Sequence, residues 1–282
     1  MTTAARSPIA EIYDALRAHN AGWSVDVGQP SGPGWIAGTD LREASTGSFN
    51  ELLRRIGERS KTVDRRTIAA LFALRYGWAS AIAIAPYLRY GCVPDISLEN
   101  VSLKFRESTF FERTAIHEPC GFMAAASPGA VHSAITPVKD DAALLRSLRS
   151  QLTAQAAAVV VALQDWSGFA PKGTWGMLTS SWAAQFTGLF EGGDQREMLP
   201  ILERFFAGDD VVTQMQPRLH AVTCQDVTHL YQRRASCCRW YLLPQGELCA
   251  SCPLVSHDDR LARNRAWMQS QLERQGEKRG HT

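Results

Sequence analysis

Residues 237–253 read CCRWYLLPQGELCASCP. Four of the seven cysteines, Cys237, Cys238, Cys249 and Cys252, fall here as a vicinal pair, ten residues, then Cys-x-x-Cys. Residues 240–243 form a short apolar run suited to an extended segment. Residues 244–247 (Pro-Gln-Gly-Glu) carry turn chemistry, because proline fixes φ and glycine accepts positive φ. The chain can therefore run out, reverse and return Cys249 beside the vicinal pair. Ala250 and Ser251 are small enough for the backbone to wrap a metal, and Pro253 restricts the exit. The spacing predicts a local four-thiolate cage.

Four thiolates select zinc or an iron–sulfur centre. Structural zinc usually takes two spaced pairs. A vicinal pair strains a single tetrahedral ion, since adjacent side chains diverge, and suits a wider [2Fe–2S] cluster with two cysteines per iron. A vicinal disulfide or a metal-free site is a further alternative. A Rieske-type centre needs two histidines, and His229 and His257 flank the segment without any Cys-x-His spacing. The remaining cysteines, Cys92, Cys120 and Cys224, sit among apolar or small residues and read as core packing. An odd total in a reducing compartment argues against a disulfide framework.

The CC-x10-CxxC arrangement resembles the ferric siderophore reductase family of the FhuF type. The basic pair Arg233-Arg234 before the first cysteine and Pro253 after the last add to the likeness. About 20 residues carry the resemblance with specificity; upstream, only length and organisation are similar. The resemblance implies a [2Fe–2S] cluster held by Cys237, Cys238, Cys249 and Cys252, and one-electron reduction of an Fe(III)–siderophore in the cytoplasm. No nicotinamide or flavin motif is visible, so the expected electron donor is an external ferredoxin or flavoprotein. No catalytic residue is expected beyond the cluster. About thirty residues follow Cys252, more than the resemblance leads one to expect. Two other readings stay open: a non-catalytic interaction protein with a structural zinc knuckle, and a siderophore-biosynthesis relative whose cluster is structural or sensing.

Composition bounds these readings. The 282 residues are 45% hydrophobic and 21% charged, which is globular rather than disordered. Thirty basic against 28 acidic residues leave a formal charge of +2, far from the basic excess of a nucleic-acid-binding surface. The longest apolar stretches, 78–88 and 154–163, fall short of the ~18–20 residues of a membrane span. The N-terminus lacks a signal-peptide core, so a cytoplasmic protein is expected.

The hydrophobic pattern predicts helices over 1–22, 49–57, 62–88 (with Pro86 kinking or ending it), 141–166, 173–190, 194–206, 216–234 and 258–275. Residues 22–39, rich in Gly and Pro, read as a loop. Alternation between Ile96 and Phe105, with Glu99-Asn100 at a turn, predicts a strand or hairpin, and 110–111 and 121–126 further strands. The class is α+β, predominantly helical with a small antiparallel sheet and a C-terminal iron–sulfur module. The expected division is a siderophore-handling domain over 1–210, a cluster module over 211–256, and a terminal helix and tail over 257–282.

Trp166, Trp175, Trp182 and Trp240 are candidate pocket walls, but Trp175 and Trp182, seven apart, read better as core. Arg233, Arg234 and Arg239 lie beside the cysteines and are candidate substrate contacts, a solvated helix end being the alternative. His117-Glu118 near Cys120 lacks the third donor a metal needs. Ser180-Ser181 lacks a nucleophile-elbow setting.

Overall fold

A computed structural model describes residues 6–19, 25–190 and 194–279; parts of the expected N-terminal helix and of the loop from 22 lie outside them. The chain opens with α1 (Pro8–His19), β1 (Val25–Val27) and β2 (Trp35–Ala37). Three helices follow, α2 (Gly47–Arg59), α3 (Arg65–Ser80) and α4 (Ile84–Tyr90). Five strands come next: β3 (Cys92–Pro94), β4 (Val101–Phe105), β5 (Phe111–Ile116), β6 (Gly121–Ala124) and β7 (Ile135–Val138). Then come α5 (Asp141–Ser167), α6 (Pro171–Gly188), α7 (Leu199–Phe206) and the single turn α8 (Val211–Gln214). The chain closes with β8 (Arg218–Cys224), β9 (Val227–Arg233) and α9 (His257–Arg279).

The class is α+β with small, mostly antiparallel sheets. One sheet has the order β1-β5-β4-β2 and another β3-β6-β7; the β1–β5 and β6–β7 pairings are parallel. The Gly/Pro-rich segment expected to be a loop thus contributes two edge strands. Each is only three residues long, too short for a periodic signal to register. Ile96 and Leu98 are buried but precede β4, with Glu99 and Asn100 in the turn that leads into it. The long helix expected over 62–88 is broken by a 3₁₀ turn at Ala81–Ala83. Pro86 does not end it, because the proline falls in the first turn of α4, where amide hydrogens lack intrahelical acceptors anyway.

Residues 65–90 are long and apolar enough to cross a membrane, an 18-residue window within them reaching a mean hydropathy of 1.6, but 83% of that window is buried within the fold. α3 crosses α6 at the centre of the core. Gly77 makes the approach possible: a Cβ there would stand 2.7 Å from Ser181 Cβ and 3.2 Å from Leu178 Cα. Ser181 Oγ donates to Leu74 O (2.9 Å), and Gln185 Nε2 to Trp78 O (2.8 Å). Gln155 ties α5 to α3, accepting from the Tyr76 hydroxyl (3.1 Å) and donating to Ser80 O (3.1 Å). These buried polar groups are satisfied across helices, which fixes register as well as stability.

The largest departure from expectation lies at 216–234. In place of a helix the chain forms the antiparallel hairpin β8–β9, with Cys224 paired to Val227 around the turn Gln225-Asp226. Val222, Thr223, Val227 and Thr228 are β-branched and favour the pleat. Gln225 takes φ 53°, the reversal a two-residue turn requires. The hairpin packs on α6, where Gln232 Nε2 donates to Ser180 O (3.1 Å).

Gly77→Val is expected to force α3 and α6 apart. Overpacking costs about 1–3 kcal/mol, and helix propensity returns less than about 1 kcal/mol. The urea midpoint should fall with little change in slope.

Candidate metal centre

β9 ends at Arg233, and the next residue begins the site. Arg234 is buried, at 4% exposure. Its backbone N–H donates to Ser251 O (2.9 Å), tying the end of the hairpin to the Cys249–Cys252 loop. Its Nη2 lies 3.4 Å from Cys238 Sγ and 2.9 Å from Cys249 Sγ. One guanidinium therefore touches one sulfur of the vicinal pair and one of the Cys-x-x-Cys pair. Ser236 Oγ donates to Gly173 O (2.7 Å), fixing the same segment to the first turn of α6.

After the vicinal pair the chain turns sharply. Arg239 adopts a left-handed conformation (φ 60°), and its N–H approaches Cys237 Sγ at 3.3 Å. Its guanidinium reaches away to α3, pairing with Asp64 Oδ2 (2.8 Å) and Thr67 Oγ1 (3.0 Å). Asp64 caps α3 by accepting from the Arg66 N–H at 3.2 Å. Residues 240–242, expected to be extended, form a 3₁₀ turn instead. It lets Leu243 reach the core while Tyr241 and Leu242 stay exposed. The turn at Pro244-Gln245 holds. Gly246 is needed there for space rather than for positive φ, because a Cβ would lie 1.8 Å from Trp240 O.

The second pair sits in a tight turn in which the Cys252 N–H donates to Cys249 O (2.9 Å). α9 braces this turn from behind. Arg260, 2% exposed, donates from Nη2 to Cys252 O and to Val255 O, both at 2.7 Å. Arg263 donates to Leu248 O, and Asn264 Nδ2 bonds His220 Nε2 of β8 (2.9 Å). The buried stripe of α9 is Arg260, Asn264 and Met268, whereas Trp267 is 58% exposed. Sequence reasoning missed Arg260 and Asn264 because both read as surface residues. Their i, i+4 spacing in line with Met268 was the available signal.

The site is asymmetric. Cys238 and Cys252 are buried, Cys237 is half-buried and Cys249 is exposed. Burial opposes the charge of Arg234, but Cys238 and Cys249 outweigh it and raise its pKa. Burial also raises the Cys237 thiol pKa, against the lowering effect of the Arg239 amide. The sulfurs are gathered but not closed on a point: among the described residues no three His, Cys, Asp or Glu side chains converge on a single ion position. The donor set is wholly thiol and carries several N–H contacts to sulfur. Arg234 Nε is buried with no hydrogen-bond partner among the described residues. An anionic iron–sulfur group with acceptor sulfides suits that donor set.

The other candidates separate from the site. Trp175 and Trp182 are core, packed edge to face at 6.4 Å. Trp166 is half-buried beneath Arg65, 5.2 Å from ring centroid to guanidinium. Arg233 donates to Pro253 O (3.2 Å) and Arg234 meets two sulfurs, whereas the Arg239 guanidinium turns away to Asp64; they follow a strand rather than a helix end. Cys92 is buried and its thiol is pushed up to about 12 by desolvation. His117 bonds Ser102 Oγ through Nε2 (2.9 Å).

Residues 234–254 match the family model described as FhuF 2Fe-2S C-terminal domain. The likeness read from the cysteine spacing is borne out over that segment, and the cofactor of this domain is a [2Fe–2S] cluster. None of the curated proteins matches the chain.

Arg234→Gln removes a positive charge from beside two sulfurs. It is expected to lower the midpoint potential, since nearby charge and hydrogen bonds to sulfur set that quantity. An anaerobic spectroelectrochemical titration of wild type and variant checks the direction.

Proposed function

We propose that the chain is a ferric siderophore reductase of the cytoplasm, with Cys237, Cys238, Cys249 and Cys252 as the four cluster ligands. The observation that carries this reading is an all-thiol site with one exposed sulfur, inside a segment matching a [2Fe–2S] domain. When bound, the cluster supplies a one-electron relay: an external reduced ferredoxin or flavoprotein is oxidised, and Fe(III) in the siderophore becomes Fe(II). Fe(III) is hard and favours the oxygen donors of such chelators, whereas Fe(II) is softer and held less well, so reduction labilises the iron.

The chain's own residues do the positioning. Arg234 and the Arg239 amide place N–H donors against the sulfurs. Arg260 and the Arg234 amide hold the backbone of the second pair, at Cys252 O and Ser251 O. Cys238 and Cys252 form the dry side, and Cys249 presents the edge through which a donor or acceptor is reached. The cytoplasm is also the compartment that keeps seven thiols reduced.

The test is an anaerobic assay with an Fe(II) trap, offering chemically reduced protein several ferric hydroxamates and catecholates. Stoichiometric Fe(II) capture is expected from wild type. Cys238→Ser and Cys249→Ser are each expected to lose visible colour, bound iron and iron release together. Failure of the reduced wild type on every chelate would count against a reductase and favour a structural or sensing cluster.

A further inference from the structure

Among the described residues, four other than glycine take a positive φ: Lys61, Thr109, Gln225 and Arg239. Three have an ordinary setting. Lys61 follows the end of α2, Thr109 sits in the link between β4 and β5, and Gln225 lies in the β8–β9 turn. Arg239 (φ 60°) is neither past a helix end nor in a hairpin turn; it follows the vicinal cysteines and precedes the 3₁₀ turn at Trp240–Leu242. Glycine adopts this backbone without steric cost, whereas a residue with a Cβ does so under strain. In this conformation the Arg239 N–H meets Cys237 Sγ at 3.3 Å. The strain thus lies where an amide donor faces a sulfur.

The side chain supplies what holds it. Its Nη2 pairs with Asp64 Oδ2 (2.8 Å), 175 positions away in sequence, and its Nε donates to Thr67 Oγ1 (3.0 Å). The buried Thr67 hydroxyl in turn donates to the same Asp64 oxygen (2.6 Å), which closes the arrangement. The other carboxylate oxygen, Oδ1, accepts from the Arg66 N–H (3.2 Å) and caps α3. Asp64 is therefore fixed by the helix it starts, and α3 is fixed in the core by its crossing with α6 at Gly77 and Ser181. An isolated, part-exposed ion pair would hold little. This one is reinforced by a hydroxyl that touches both partners.

We propose that Asp64 is a positioning residue for the cluster: by holding the Arg239 guanidinium it keeps the strained backbone that aims the Arg239 N–H at the Cys237 sulfur, and so raises the midpoint potential. The inference rests on the cluster ligands of the proposed function and adds to them a determinant outside the cysteine segment. Two effects of Asp64 on the potential have opposite signs. Its negative charge, taken alone, disfavours the more negative reduced state and lowers the potential. Its hold on the amide donor raises the potential, because an N–H aimed at sulfur favours that same reduced state. The charge is part-exposed, screened by solvent and paired with Arg239, so the positioning effect outweighs it.

Spectroelectrochemical titration of the full chain with its cluster reads the balance. Asp64→Ser keeps an N-cap on α3 but withdraws the carboxylate from Arg239. It is expected to lower the potential, shifting the one-electron equilibrium about threefold or more toward the oxidised form, although it removes a negative charge. Arg239→Ala and Arg239→Gly remove the same cation and the same anchor and differ in backbone freedom. The alanine variant is expected to lie lower than the glycine variant by a similar factor, since glycine takes the left-handed conformation unaided. An unchanged or raised potential in Asp64→Ser leaves Asp64 with a helix-capping or purely electrostatic role and overturns the proposal. Equal potentials in the alanine and glycine variants overturn it as well. Should Arg239→Ala fail to fold or to hold a cluster, the Asp64→Ser potential decides alone. No readout involves an iron chelate, so a failure here leaves the reductase reading intact, and a wild type that reduces no chelate leaves the positioning role standing. A wild type without a cluster overturns both.

Discussion

The site depends on a buried guanidinium set against sulfur. Arg234 stands at the end of a seven-residue strand, its amide holding Ser251 O and its side chain reaching one sulfur of each cysteine pair. A charge at 4% exposure is costly unless it meets acceptors, and thiolate or cluster sulfur is the acceptor this pocket offers. The strand pairing, the contact of the hairpin with α6 and the Ser236 anchor all act to place this one residue. α9 then closes the far side, with Arg260 gripping the backbone of Cys252. The residues that follow the last cysteine are thus part of the site's framework.

That framework is joined to the helical body at two points. Ser236 is fixed to the start of α6, and Arg239 crosses to Asp64 and Thr67 at the start of α3. Because α3 and α6 cross closely at Gly77 and Ser181, both anchors rest on one rigid pair of helices. The cysteine loop therefore inherits its position from the core. The asymmetry in burial, with Cys249 exposed and Cys238 and Cys252 enclosed, follows from these anchors holding one side of the loop against the body.

The sequence made the chemistry more legible than the scaffold around it. The cysteine spacing indicated the site and narrowed its occupant chiefly to zinc or an iron–sulfur centre, and the family resemblance then pointed to [2Fe–2S]. The helices with long apolar faces were equally plain, as was the start of α5, where Asp140 caps by accepting from the Ala143 N–H at 2.8 Å. The hairpin at 218–233 was read as a helix because its length and mixed polarity resemble one; the β-branched clusters on either side of Gln225-Asp226 were the contrary signal. Three-residue strands such as β1 and β2 exist by pairing with β5 and β4, information that no local pattern contains. Arg260 and Asn264 were hidden for the same reason: their burial is decided by the loop and hairpin they meet, not by their own polarity.

The central claim is that the four cysteines near the C-terminus hold a redox-active [2Fe–2S] cluster. The most direct measurement is the visible absorption and electron paramagnetic resonance spectrum of anaerobically purified protein, before and after dithionite, with acid-labile sulfide determined on the same sample. The account predicts a coloured protein with two irons and two sulfides per chain, silent when oxidised and giving an S = ½ signal on one-electron reduction. A colourless protein containing one zinc and no labile sulfide would contradict it.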